Sequence, residues 1–508
     1  MIFILYSNCG RKGFYGGDVK ILAKIGNKTI SVGEFYQRSE FTIRPKYCRL
    51  NNNVHKKIIL NSLIAEKLLA IEAEKNKDFY SNFKKSESIQ NYIVGRKEQA
   101  MRQLLFRKEG IDKVTLNEEE IRDLYNSIGR TYEIEYFYFR GDSIAKNIIS
   151  EMENFSFEEV YKKIWGKEKV PTKDVSWKTM MNPVVREALF SKPLEKGKVL
   201  GPIRYSPNEY LMMKILGWED KIAVSKQEQL QRMEMVKDEL KRKKAIRIYD
   251  QFVLKIMKGK RLDFYKDTFY SLADYLKKIY LKNPDETKEL FKDSLFGQEV
   301  SSYDSCCLNN KLEELLDKPL LKVNDRIWTV RSFLKDMQRH PLVFRKKIRR
   351  ESEYYEQLKL AMVDLVRDVY LTEEAYKRGY DKDLSVRRHT AMWYDALLSQ
   401  YYLDCYLKSK FNCNIDSLNT ISIIEKYLNP YIDKLQRKYS DFIWIDVDEF
   451  NRIKLTRIDM FVFQRKQPFP DIVPNFPQLT TDTRLDYGNP MNSYSFLNNL
   501  FRRFSKGK

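Results

Sequence analysis

The residues that most often carry chemistry are scarce in this chain. Its 508 residues hold three histidines, His55, His340 and His389, and six cysteines, Cys9, Cys48, Cys306, Cys307, Cys405 and Cys413. The histidines lie far apart and no Cys-x-x-Cys pair occurs, so neither a zinc site nor a Cys–His nucleophilic centre is expected. The cysteines are too few and too irregular for a disulfide framework. Aromatic side chains are the abundant resource. The stretch YEIEYFYF, residues 132–139, carries five rings in eight positions and alternates as a strand does. Tyrosine hydroxyls there can donate and accept hydrogen bonds, but they do not titrate near neutral pH as histidine can. The bland reading of Tyr136, Tyr138 and Tyr210 is that they are half-buried sheet residues.

The bulk properties narrow the function classes. A net charge of +22 would suit nucleic acid, yet basic and acidic residues interleave, as in KQEQLQRMEMVKDELKRKK. That is the pattern of solvated helix faces, so no nucleic-acid partner is expected. With 43% apolar and 32% charged residues, the chain reads as a globular protein of three or four units. It has no run of about 18 or more apolar residues, so no transmembrane helix is expected. No cofactor is implied.

The elements that must position the tyrosines can be read from periodicity. Residues 21–35, ILAKIGNKTISVGEF, read as strand, turn at Gly26-Asn27, strand, and a helix start at Ser31. A helix with Leu60, Leu63, Ile64, Leu68 and Ile71 on one face follows. The arrangement returns in LLKVNDRIWTVRSFL, residues 320–334, with a turn at Asn324-Asp325 and a helix bearing Leu358, Met362, Leu365 and Val369. A further helix follows in each copy, around Tyr92–Leu105 and Met392–Leu407. We read this as a duplicated helical module. Residues 223–258 read as one charged helix with a buried stripe of Leu230, Met233, Val236, Leu240, Ile248, Phe252 and Ile256. FIWIDVDEF and IKLTRIDMFVF alternate like a strand pair. The Pro-containing tail after Gln467 is expected to be extended, partly disordered and lying over another domain. The expected boundaries are an anchor or linker at 1–20, a helical module at 21–128, a mixed domain at 129–220 and a helical connector at 221–318. A second helical module at 319–412, a helix and strand pair at 413–465 and the tail at 466–508 complete the chain.

Three stretches carry a family resemblance: AKIGNKTISVGEF, LIAEKLLAIEAEK and VTLNEEEIRDLY. They resemble the helical chaperone region of SurA-type and PrsA-type foldases of the bacterial cell envelope. Within 131–218, KDVSW, NPVVREALFSKPLEKGKVLGPI and NEYLMMKIL resemble the parvulin-type (PpiC) peptidyl-prolyl isomerase module of those proteins. The resemblance implies a multi-domain, mostly α protein with one α+β parvulin-like domain and the chaperone module in two copies. MIFILYSNCGRKG resembles the end of a bacterial lipoprotein signal, in which Cys9 would be lipidated; the alternative is a frayed terminus with a free thiol.

The parvulin reaction breaks no covalent bond and must lower an amide-rotation barrier of about 18–20 kcal/mol. The resemblance implies an apolar pocket beside two strand histidines, with a cysteine or aspartate between them. Carried over, the first histidine position holds Tyr136, or Glu135 with a one-residue slip, and the second holds Tyr210. The other substrate-binding positions hold Asp174, Trp177, Met181, Val185 and Phe190. Tyr136 and Tyr210 could then form a hydrogen-bonded pair across the strands. With both histidines missing, the expected function is a periplasmic chaperone for unfolded outer-membrane or secreted chains, with weak or absent isomerase activity. Met180, Met181, Met212 and Met213 suit such promiscuous capture or serve equally as core filler. An active isomerase and a lipid-anchored structural subunit are the alternatives.

Overall fold

A computed structural model describes residues 20–206, 208–280, 312–346, 348, 350–410, 420–455, 468–470 and 472–491. Two compact units emerge, one formed by Met1–Lys108 with Gln251–Lys508 and the other by Glu109–Asp250. Cys9, Cys306, Cys307 and Cys413 lie outside the described residues.

The first unit opens with strands β1 (Ile21–Ile25) and β2 (Lys28–Ser31), then helices α1 (Val32–Glu40), α2 (Asn53–Lys75), α3 (Lys77–Lys85) and α4 (Glu87–Glu109). The second unit runs α5 (Glu118–Ile128), β3 (Arg130–Arg140), α6 (Asp142–Glu151), α7 (Phe157–Trp165) and β4 (Thr172–Ser176). It continues with α8 (Pro183–Phe190), β5 (Val199–Ser206), β6 (Glu209–Asp220) and most of α9 (Lys226–Met257). Back in the first unit come β7 (Leu262–Phe264), α10 (Lys266–Tyr280), β8 (Pro319–Val323), β9 (Arg326–Thr329) and α11 (Val330–Arg339). Next among the described residues come α12 (Tyr354–Lys377), α13 (Leu384–Lys410), α14 (Asn429–Lys438), β10 (Ile443–Ile445), α15 (Val447–Arg452) and β11 (Asn489–Pro490).

The two hairpins are built alike. Each closes over a two-residue loop whose first residue, Gly26 or Asn324, adopts a left-handed φ of 57° or 51°, as tight hairpin turns require. Ser31 and Thr329 then end the second strands and cap the next helices, accepting from Glu34 N at 3.0 Å and Ser332 N at 3.3 Å. A lone hairpin is marginal, and each is extended: β10 pairs with β1 and carries β11 on its other side, and β7 pairs with β8.

Helices that follow the first hairpin pack against helices that follow the second. α13 lies along α2, with Lys67 Nζ 3.1 Å from Asp395 Oδ2. α4 packs in the same way: Ala100, Met101 and Leu104 meet Ala375 of α12 and Val386 of α13. Arg102 Nη1 donates to Thr372 Oγ1 at 2.7 Å. Gly95 marks the closest approach, since a Cβ there would lie 2.0 Å from the Arg339 carbonyl oxygen. Enclosure from several sides explains why α2 is buried almost continuously from Ile58 to Ala70, well beyond the single face of an amphipathic helix.

Several sequence expectations change. FIWIDVDEF is strand only over Ile443–Ile445, because Asp446 accepts from Glu449 N at 2.8 Å and starts α15. Most of the expected partner strand lies outside the described residues. In α9 the buried positions are Val236, Ala245 and Tyr249, while Leu230 is 57% exposed. α5 belongs to the second unit, where Ile121 and Leu124 pack on Val236. The tail segment 472–491 is extended as expected but well packed: Val473, Phe476 and Leu479 are buried, and Asn61 Nδ2 donates to the Asp482 and Arg484 carbonyls at 2.7 and 2.8 Å. Among the described residues, no helix is long and apolar enough to cross a membrane.

The second unit is an α+β fold. Its four strands run β4-β3-β6-β5, antiparallel at every pairing. The β3–β4 connection carries α6 and α7, which cover one sheet face; α8 covers the other.

Candidate functional site

The register of β3 on β6 decides which aromatic side chains can act together. Phe139 pairs with Tyr210, and Tyr136 pairs with Met213. Residues directly opposite in an antiparallel pair share a face, and faces alternate along each strand. Tyr210 therefore lies with Phe137, Phe139 and Met212 under α6 and α7, whereas Tyr136 lies with Tyr132, Ile134, Leu211 and Met213 on the α8 face. The expected Tyr136–Tyr210 pair does not form. The β6 residues nearest Tyr136 on its own face, Leu211 and Met213, are apolar.

On the α6–α7 face the rings make a packed core. Phe137 sits 5.0 Å from the Phe157 ring and 4.9 Å from Trp165, and Phe139 stacks on Tyr210 at 5.4 Å. The Tyr210 hydroxyl donates to Asp142 at the start of α6. Glu135 lies toward this side, where Lys214 pairs with Glu158. Burial and the neighbouring Glu158 carboxylate push the Glu135 carboxyl up from its ordinary value. Asp174 stands opposite Glu133 on the same side and is exposed.

The α8 face has a closed half and an open half. In the closed half, Asn182 caps α8 by accepting from Val184 N and Val185 N at 3.0 and 3.2 Å. This presses Val185, Leu189 and Phe190 onto Tyr132, whose ring lies 5.5 Å from that of Phe190. Val185 and Phe190 are buried in this core. Trp177 meets Phe190 edge-on at 5.8 Å under the Arg186 guanidinium. In the open half, Tyr136, Tyr138 and Tyr205 form a row, with centroids 5.6 Å and then 5.1 Å apart. Tyr138 is 52% exposed. Arg140 closes one end through its ion pair with Glu209, which also accepts from Tyr205. Asn182 Nδ2 donates to the Tyr205 carbonyl at 3.3 Å, so Met181, 79% exposed, stands beside that strand. Met180, not Met181, packs against the core.

The row consists of tyrosines and contains no histidine or cysteine. Burial raises the Tyr138 hydroxyl above its ordinary value, and burial with the Glu209 carboxylate raises that of Tyr205. It offers ring faces, hydroxyls and a flexible thioether to a ligand, which suits apolar and aromatic segments of a polypeptide. Sequence reasoning singled out Tyr136 and Met181 but passed over Tyr205, and treated Tyr138 as sheet filler. Period-two spacing from Tyr136 already put Tyr138 on the same face; Tyr205 required the β5–β6 register. The histidines have other settings: His55 Nδ1 accepts from Leu50 N at 2.9 Å, and buried His340 meets Glu98 at 2.8 Å.

No protein-family model and no curated protein matches the chain. Solved structures resemble it weakly. A peptidylprolyl isomerase (PrsA) from Bacillus cereus is 12% identical with a TM-score of 0.18, over 58% of this chain and 98% of its own. The foldase protein PrsA from Streptococcus pneumoniae is 13% identical with a TM-score of 0.17, over 53% of this chain and 97% of its own. Similarity at this level carries no argument about activity.

Proposed function

We propose that this chain is a polypeptide-binding chaperone whose parvulin-like second unit holds apolar and aromatic segments of unfolded chains, with little or no prolyl isomerase activity. The observation that carries the reading is the open row of Tyr136, Tyr138 and Tyr205 beside exposed Met181. A soluble surface seldom leaves such side chains together without a use. Isomerase chemistry of the kind expected from sequence needs polar partners on one face, and here Tyr136 shares its face with Leu211 and Met213. The purified protein is expected to suppress aggregation of an unfolded outer-membrane protein at near-stoichiometric ratios, while leaving the isomerisation of short Xaa-Pro peptides at its uncatalysed rate. Absence of suppression at every ratio removes the chaperone reading; clear rate acceleration removes the second half of the proposal.

A further inference from the structure

The first unit holds an open cleft of about 880 Å³, within the roughly 300–1,000 Å³ span of ligand sites. The β1–β2 turn, α1, α4 and the start of α13 form its walls, so it lies where helices after the first hairpin meet a helix after the second. Seven cations line it: Lys28, Lys67, Lys97, Arg107, Lys108, Arg387 and Arg388.

Of the four acids on the wall, Glu34, Asp383 and Asp395 are engaged from within, and Asp381 stands beside Asp383 with no ion pair among the described residues. Glu34 pairs with Lys67 at 2.9 Å, and Asp395 bridges Lys28 at 2.7 Å and Lys67 at 3.1 Å. Asp383 accepts from Ser385 N at 2.8 Å at the start of α13. These pairs satisfy the buried lysines and leave the arginines at the start of α13 as the outward charge. Among the described residues Arg387 and Arg388 enter no ion pair. His389 beside them is held neutral, since burial and the nearby Arg96 bring its imidazole down to about 4. Between the cations the wall is apolar, with Leu104, Phe106, Met392 and Phe469.

We infer that this cleft binds acidic polypeptide segments, with carboxylates paired to Arg387 and Arg388 and neighbouring apolar side chains resting on Leu104, Phe106 and Phe469. Guanidinium forks suit carboxylate and phosphate alike; the apolar wall between them favours a chain that alternates acidic and apolar side chains over a bare anion. The site is separate from the tyrosine row, lies in the other unit and selects by charge rather than aromaticity.

The test must separate this site from the attraction of a chain with net charge +22 for any polyanion. A short fluorescein-labelled peptide alternating Glu and Leu is titrated into the full-length protein and followed by fluorescence anisotropy. Arg387→Glu with Arg388→Glu is compared with Lys162→Glu and Lys163→Glu, which make the same charge change on the second unit. Loss of two charge-assisted contacts should weaken binding at least about tenfold in the first variant, with the second within about twofold. Arg387→Lys with Arg388→Lys, which keeps the charge but not the guanidinium fork, should bind more tightly than the Glu variant, and a parent-like circular dichroism spectrum of the Glu variant separates lost contacts from misfolding. Equal loss in both Glu variants, equal affinity for a Lys-Leu peptide, or displacement by inorganic phosphate at concentrations where added Glu-Leu peptide does not compete overturns the inference.

Discussion

Tyr210 shows how one residue can be read correctly as a strand residue and still be assigned to the wrong site. Its type and spacing put it on the last strand of the sheet, and it is there. What spacing could not supply was the pairing register, and a one-residue difference moves a side chain through the sheet. A Tyr136→His, Tyr210→His variant would therefore place its imidazoles on opposite faces, and it is expected to show no prolyl isomerisation above background. Activity appearing in that variant would refute the register. His389 supports a second prediction. Its imidazole is lowered to about 4 from an ordinary 6.5, so below pH 6.5 the unfolded chain binds the proton more readily than the folded one. The stability this burial contributes is present above pH 6.5 and is lost as pH falls toward 4, by at most about 3 kcal/mol. Urea unfolding of the parent should show a falling midpoint between pH 7 and 5, and His389→Gln should flatten that slope. An unchanged slope contradicts the assignment.

At the scale of elements, much was legible. The Gly26-Asn27 and Asn324-Asp325 turns, the capping Ser31 and Thr329 and the apolar faces of α2 and α12 all follow from local chemistry that the chain displays directly. The packing partners of α4 and α13 were not legible, because helical periodicity reports that a face is buried and not what buries it. The strand reading of FIWIDVDEF failed for a local reason: alternation continued past Asp446, but the side-chain cap there redirected the backbone into a helix. Gly95 tests this packing. Gly95→Ala forces a methyl group against the Arg339 backbone and should destabilise the first unit by about 1–3 kcal/mol, even though alanine favours helix. A neutral or stabilising result in urea unfolding would show that α4 does not approach α11 this closely.

Across the whole chain, the two units divide two kinds of surface. The second offers a row of tyrosines, and the first holds an open cleft lined by cationic, acidic and apolar side chains. Composition anticipated neither: a dispersed charge pattern conceals a cationic wall assembled from four separate elements. A chaperone reading requires that the tyrosine row contact its clients, and one measurement addresses this most directly. The affinity of the full-length protein for a fluorescently labelled, unfolded outer-membrane protein is compared with that of Tyr138→Ala combined with Tyr205→Ala. Both side chains sit at the rim of the sheet rather than in its buried core, so the fold should survive, as circular dichroism can verify. Two aromatic contacts of about 0.5–1.5 kcal/mol each predict a loss of roughly five- to a hundredfold. Unchanged affinity in a folded double variant would contradict the account.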